Sequence, residues 1–199
     1  MPIGSKCTQV CGGSFGGKSC AKTILVKVYP KGQPQKAIKT YALLDDQSNA
    51  SLARSDFFDV FQEHGKELPY TLVSCAGQTS TCGRRASGYV VESINGEARL
   101  DLPQLIECNE IPNAKEEIPT PQVALHHQHL LDIASYIPPL DRKADILVLI
   151  GRDLPEAHHV LDQRIEKKGS RILHMDRSLD LDGWSLEKHA WGKFIVQTK

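Results

Sequence analysis

Asp45 is the first residue from which chemistry can be built. It stands directly after the apolar run Ala42-Leu43-Leu44, and the polar residues Asp46, Gln47, Ser48 and Asn49 follow it. Hydrolysis of an amide at mild pH needs an activated water and a proton donor for the leaving nitrogen, and two carboxyls sharing one proton fill both roles. Two such groups held close cannot both ionise, so they titrate in two steps that belong to the pair. One strand-end carboxylate per chain therefore calls for a second copy of the chain, brought up across a two-fold axis. A carboxylate after an apolar strand is also a common turn former or helix cap, so Asp45 alone leaves both readings open.

Three other groupings invite chemistry and are set aside on spacing. His126, His127 and His129 fall at i, i+1 and i+3 of a helical pattern, where only the first and last share a face, and no His-Glu-x-x-His arrangement follows. They read as solvated or core-satisfied, as do His158 and His159. Cys7, Cys11 and Cys20 lack the histidine and the two-residue cysteine spacing of a zinc knuckle and read as free thiols in a linker. Residues 12–19, GGSFGGKS, match the frame of a phosphate-binding loop, but a strand pattern rather than a helix comes after them. Neither a metal nor a cofactor is expected.

The elements that must position Asp45 are mostly strands. KTILVKVYP alternates β-branched and polar residues, a Pro/Gly turn follows, and AIKTYALLD makes a second strand that stops at Asp45. Residues 51–61 suit a short helix with Leu52, Phe57, Val60 and Phe61 turned inward. Glycines 77, 83, 88 and 96 then punctuate a run of strand-like pieces up to Cys108, the pattern of a β meander. A proline-rich connector leads to ALHHQHLLDIASY, which has helical spacing and is halted by Pro138-Pro139. ILVLIG at 146–151 reads as a fully buried strand ending in glycine, and a helix is predicted from Leu154 to about Arg164.

The stretch Ala42-Leu43-Leu44-Asp45-Asp46-Gln47-Ser48-Asn49-Ala50-Ser51-Leu52 resembles the catalytic loop of retropepsin-like aspartic peptidases, usually Ala-Leu-Leu-Asp-Ser/Thr-Gly-Ala/Ser. It is closer still to the peptidase region of BEL/Pao-type retrotransposon polyproteins. Downstream, Ile146-Leu147-Val148-Leu149-Ile150-Gly151-Arg152-Asp153 resembles that family's apolar segment ending in Gly-Arg-Asp/Asn, and between the two blocks residues 72–78 fall where the family's flap hairpin lies.

The resemblance implies a mainly β fold, a retropepsin-like closed β barrel with a flap hairpin and one or two short helices, binding an extended peptide under the flap. It makes Asp45 the catalytic residue, with Asp46, Gln47, Ser48 and Asn49 completing the active-site loop. Ala76, Gly77 and Gln78 would sit at the flap tip over the substrate. Gly151 would let its strand pack behind the loop, Arg152 would hydrogen-bond toward the loop and Asn49, and Asp153 would complete that support. The implied function is an aspartic endopeptidase, homodimeric, cutting a peptide or polyprotein substrate. Two departures stand out: Asp46 where Ser or Thr is usual, and Gln47 where glycine is usual. They motivate an alternative, an inactive retropepsin-like domain serving as a dimerising or peptide-binding module.

Composition sets the remaining bounds. The 24 basic and 24 acidic side chains cancel, which removes any bulk electrostatic grip on nucleic acid or anionic lipid. No apolar run reaches the roughly 20 residues that span a bilayer, and no secretory signal is visible, so an intracellular, cytoplasmic protein with mostly reduced cysteines is expected. The organisation predicted is a flexible leader over 1–21, a peptidase domain over 22–164 and a divergent tail over 165–199.

Overall fold

Alternation of apolar and polar residues builds the first hairpin. In the computed structural model, which describes residues 22–74, 77–165, 171–176 and 195–198, β1 (Thr23–Pro30) pairs antiparallel with β2 (Ile38–Leu44), matching Thr23 to Leu43 and Val28 to Ile38. Ile24, Val26 and Val28 enter the main core, and Leu25 joins a second cluster. Gly32, at φ +81°, makes the turn that brings the Gln33 N–H to the Pro30 carbonyl at 2.9 Å. The leader, its three cysteines and residues 12–19 lie outside the described residues.

The strand that organises the molecule comes late in the chain. β10 (Ile146–Ile150) runs parallel to β2 and antiparallel to β3 (Leu52–Ala53), so it lies between the two strands that flank Asp45 in sequence. All five of its residues are buried. Val148 and Ile150 belong to the main core, whereas Ile146 and Leu149 pack with Tyr41, Ile111, Ile118 and Ala144. A strand covered on both faces is apolar at successive positions, which is why ILVLI shows no alternation.

The remaining strands are β4 (Leu68–Ser74), β5 (Gly77–Gly83), β6 (Arg85–Ala86), β7 (Tyr89–Ser93), β8 (Arg99–Asp101) and β9 (Leu105–Glu107). Apart from β4 and β5, they extend one eight-stranded sheet in the order β6-β9-β3-β10-β2-β1-β7-β8. The fold is mainly β, and the sheet curls into a half-barrel. Its outer strands among the described residues are β6 and β8, so it is open where the resemblance implies closure. β4 and β5 pair only with each other and form a separate hairpin.

Helices are few and short, and three differ from expectation. α1 (Ser55–Val60) begins at Ser55, which turns Phe57 and Phe58 fully inward and leaves Val60 54% exposed; the predicted inward Val60 is thereby corrected. Phe57 packs edge-on to Tyr89, ring centroids 5.0 Å apart. The helix-like spacing after Pro121 yields only α2 (Pro121–Leu125) and two 3-10 turns, Gln128–Leu130 and Ala134–Tyr136. His126 Nδ1 donates to the Gln122 carbonyl at 2.6 Å, occupying the acceptor a continuing helix would use.

Past Leu154 the predicted helix is replaced by a single 3-10 turn, Pro155–His158, followed by β11 (Val160–Ile165). β11 pairs with β12 (Arg171–Asp176), and β12 pairs with β13 (Ile195–Thr198). Pairing with the next strand of the chain overrides local helical spacing here, and the described part of the tail is strand.

Candidate active site

The chain leaves β2 at Leu44, arches through residues 45–51 and returns as β3, with the end of β10 lying between the two feet of the arch. Asp45 extends the ladder by one bond, its N–H donating to the Ile150 carbonyl at 3.0 Å. The Arg152 N–H donates to the Ser48 carbonyl at 3.0 Å, and the Gly151 N–H to Ser51 Oγ at 3.1 Å. At Gly151 a Cβ would lie 2.6 Å from the Ala50 carbonyl oxygen and 3.0 Å from that of Ser48. Only glycine lets β10 approach the arch this closely.

Ser51, fully buried, ties the second foot down. Its N–H and Oγ donate to the two oxygens of Asp153 at 2.9 and 2.7 Å, while Oγ accepts from Gly151. Asp153 therefore clasps the arch with its side chain. Arg152 does not: its side chain is exposed, it reaches the loop through its backbone, and no hydrogen bond joins it to Asn49 among the described residues. That corrects the contact expected between them. His158 Nε2 lies 2.9 Å from the Gly151 carbonyl and braces the same corner from behind.

Three carboxylates meet at the arch, and their hydrogen bonding separates them. Asp46 is bonded at both oxygens, with Lys22 Nζ 3.1 Å from Oδ2 and Gln47 Nε2 3.2 Å from Oδ1. The Lys22 hydrogen bond, opposed by partial burial and helped by Gln47, holds its carboxyl below the usual range. Asp153 also has both oxygens occupied. Asp45, half-buried, accepts one bond at Oδ1, from the Gln47 N–H at 2.9 Å, and its Oδ2 receives none among the described residues. It is the carboxylate left with an oxygen for water or substrate. Ser48 turns inward within the loop, its Oγ donating to the Ala50 carbonyl at 2.7 Å, and Asn49 is exposed.

Gln47 sits in ordinary backbone, since Gln62 is the one non-glycine residue with positive φ among those described. The loop conformation thus makes no demand for glycine at 47.

Gly77 and Gln78 lie exposed at the start of β5, where Ser74 pairs with Gly77. Ala76 falls outside the described residues, and no hydrogen bond joins Gly77 or Gln78 to the arch among those that are described. The loop and the Gly151-Arg152-Asp153 corner are brought together; the hairpin is a separate sheet. Lys22 and Ser51 have no site role in the sequence reading, and His158 is there set aside as solvated or core-satisfied. Lys22 and Ser51 act across 24 and 102 positions, with no local signal.

Among the described residues no group of three His, Cys, Asp or Glu side chains is placed to hold a metal ion. No helix among them is long and apolar enough to cross a membrane. No family model and no curated protein matches this sequence.

Proposed function

We propose that this chain is an aspartic endopeptidase domain of the retropepsin-like, BEL/Pao retrotransposon type, acting in the cytoplasm on its own polyprotein as a homodimer in which each copy supplies Asp45. The observation that carries this reading is the free Oδ2 of Asp45, on an arch whose other carboxylates are fully bonded.

With two Asp45 carboxyls sharing one proton, the ionised member takes a proton from water as the water oxygen attacks the scissile carbonyl carbon. The protonated member gives its proton to the carbonyl oxygen. Collapse of the resulting gem-diol then breaks the C–N bond: the Asp45 that took the water proton gives it to the departing nitrogen, and the other Asp45 takes a hydroxyl proton as the carboxyl group forms, restoring the shared-proton pair. The β4–β5 hairpin covers an extended peptide, whose backbone supplies hydrogen bonds and whose side chains give preference. Two observations support the reading despite the departures from the family loop: Asp46 is paired with Lys22 of its own chain, and Gln47 lies in ordinary backbone.

The test is incubation of the purified chain at mildly acidic pH with a mixed peptide library, beside Asp45→Asn, with cleavage read by mass spectrometry. Cleavage by the wild type and none by the variant is the expected result. Should neither cut while both are folded, the peptidase reading fails and the dimerising or peptide-binding module takes its place.

A further inference from the structure

Lys22 reaches the arch from the residue before β1. Its backbone carbonyl accepts from the Leu44 N–H at 2.7 Å, which fixes it beside the last residue before Asp45. Its ammonium meets Asp46 Oδ2 at 3.1 Å, and its side chain is 17% exposed against 53% for Asp46. Gln47 Nε2 takes the other Asp46 oxygen. An Asp46 carboxylate so held stays charged, and its charge is answered within the same chain.

We propose that Lys22 is a positioning residue that cancels the Asp46 charge so that two copies of the 45–51 arch can meet. This rests on the dimeric reading above. Consecutive Cα atoms are about 3.8 Å apart, so a pairing that brings two Asp45 carboxyls together also holds the Asp46 backbone of each copy close to the axis, within range of screened charge repulsion. The Asp45 pair relieves its repulsion by sharing a proton. Asp46 is ionised at neutral pH like any carboxyl, and in this structure its relief is the Lys22 ammonium at 3.1 Å. Without Lys22 the two arches would gather three negative charges, one on the proton-sharing Asp45 pair and one on each Asp46, whereas pairing each Asp46 with its Lys22 leaves one. A partly exposed ion pair adds little to fold stability, so loss of Lys22 acts on assembly rather than on folding. The charged groups acting on Asp46 are Lys22 and His158, both of which favour the carboxylate, His158 when protonated; Asp45 is its neighbour in the chain.

Sedimentation equilibrium on the full chain tests this with the wild type, Lys22→Arg, Lys22→Met and Lys22→Met/Asp46→Asn. Measurements at about 0.1 M and about 1 M salt shorten the screening length from about 10 Å to about 3 Å. Lys22→Met should raise the dimer Kd about tenfold at neutral pH and low salt, the scale of one uncompensated charge pair near a surface. The deficit should shrink in high salt, shrink again as falling pH protonates Asp46, and vanish in the double variant. Lys22→Arg should match the wild type, and melting temperatures should stay close together. A Lys22→Met dimer as tight as the wild type, or a deficit that neither salt nor Asp46→Asn removes, overturns the inference and leaves the peptidase reading standing. A wild type that remains monomeric overturns the dimeric reading and this inference with it.

Discussion

Gly151 acts on Asp45 from a distance of one packing layer. A methyl group there would meet Ala50 backbone atoms at 2.6 and 2.7 Å, and backbone cannot swing aside as the end of a side chain can. The arch would have to lift, straining the Asp45 to Ile150 bond, the Arg152 to Ser48 bond and the Ser51 clasp together. Gly151→Ala should therefore cost about 1–3 kcal/mol, the range for overpacking a close-fitted site, and reduce peptide turnover further by displacing Asp45. Gly65→Ala is the matched control: its Cβ would meet only the Arg85 carbonyl, at an ordinary 3.6 Å. Urea denaturation of both variants reads the difference. Equal midpoints would show that the arch yields without strain.

At the scale of elements, the β4–β5 hairpin is fastened at its base. Glu107 in β9 accepts from the Arg84 N–H, Nε and Nη2 at 3.0, 2.9 and 2.8 Å, and its carbonyl accepts from Tyr70 Oη at 2.9 Å. Arg84 also lies 5.0 Å over the Phe58 ring and donates to Asp59 at 2.9 Å, joining α1 to the same cluster. Residues 77–80 are exposed. Glu107→Gln, which keeps one acceptor and loses the charge, should weaken the base by about 1–3 kcal/mol. Hydrogen exchange should then accelerate in β4 and β5 before it does in β10; uniform acceleration would mean that Glu107 supports the whole fold and not the base of the hairpin alone. The strands of this hairpin were legible in sequence because glycines bound them, as were β1 and β2 through their alternation. Glu107 and Arg84, 23 positions apart, gave no sign of meeting. The buried strand at 146–150 was equally plain, yet its place between β2 and β3 depends on pairings across about a hundred positions, which local periodicity cannot carry. The Asp45 loop was legible as a motif. What holds it, namely Ser51, Lys22 and His158, was not, because each contact is made by folding.

Charge placement over the whole molecule sets the pH range in which this architecture can work. Glu92, buried, binds Tyr29 Oη at 2.5 Å and Arg99 Nη2 at 2.9 Å, tying β7 to β1 and β8. Its carboxyl is held below the usual range, first by the Tyr29 hydrogen bond against the opposing effect of burial, and the Glu107 carboxyl is lowered first by Arg84. A carboxyl whose folded pKa is depressed contributes stability that is full above its unfolded value, about 4.3, and drains away as pH falls through the folded value. Tyr29, Tyr41, Tyr70 and Tyr89 are raised, chiefly by burial, so their contribution is present below about pH 10 and is lost as pH climbs past it. The two shoulders leave a plateau that includes mildly acidic pH, where a proton-sharing Asp45 pair would be active. Urea midpoints followed from about pH 8 to about pH 3 should stay level until the carboxylate range and then fall. Glu92→Gln should begin from a lower plateau, since Arg99 and Lys27 lose their counter-charge, but lose less on the way down because one depressed carboxyl no longer titrates. A wild-type midpoint that already drops between about pH 7 and about pH 5 would place control of stability in the histidines instead, and would separate the pH at which the fold is safe from the pH at which the dyad could act.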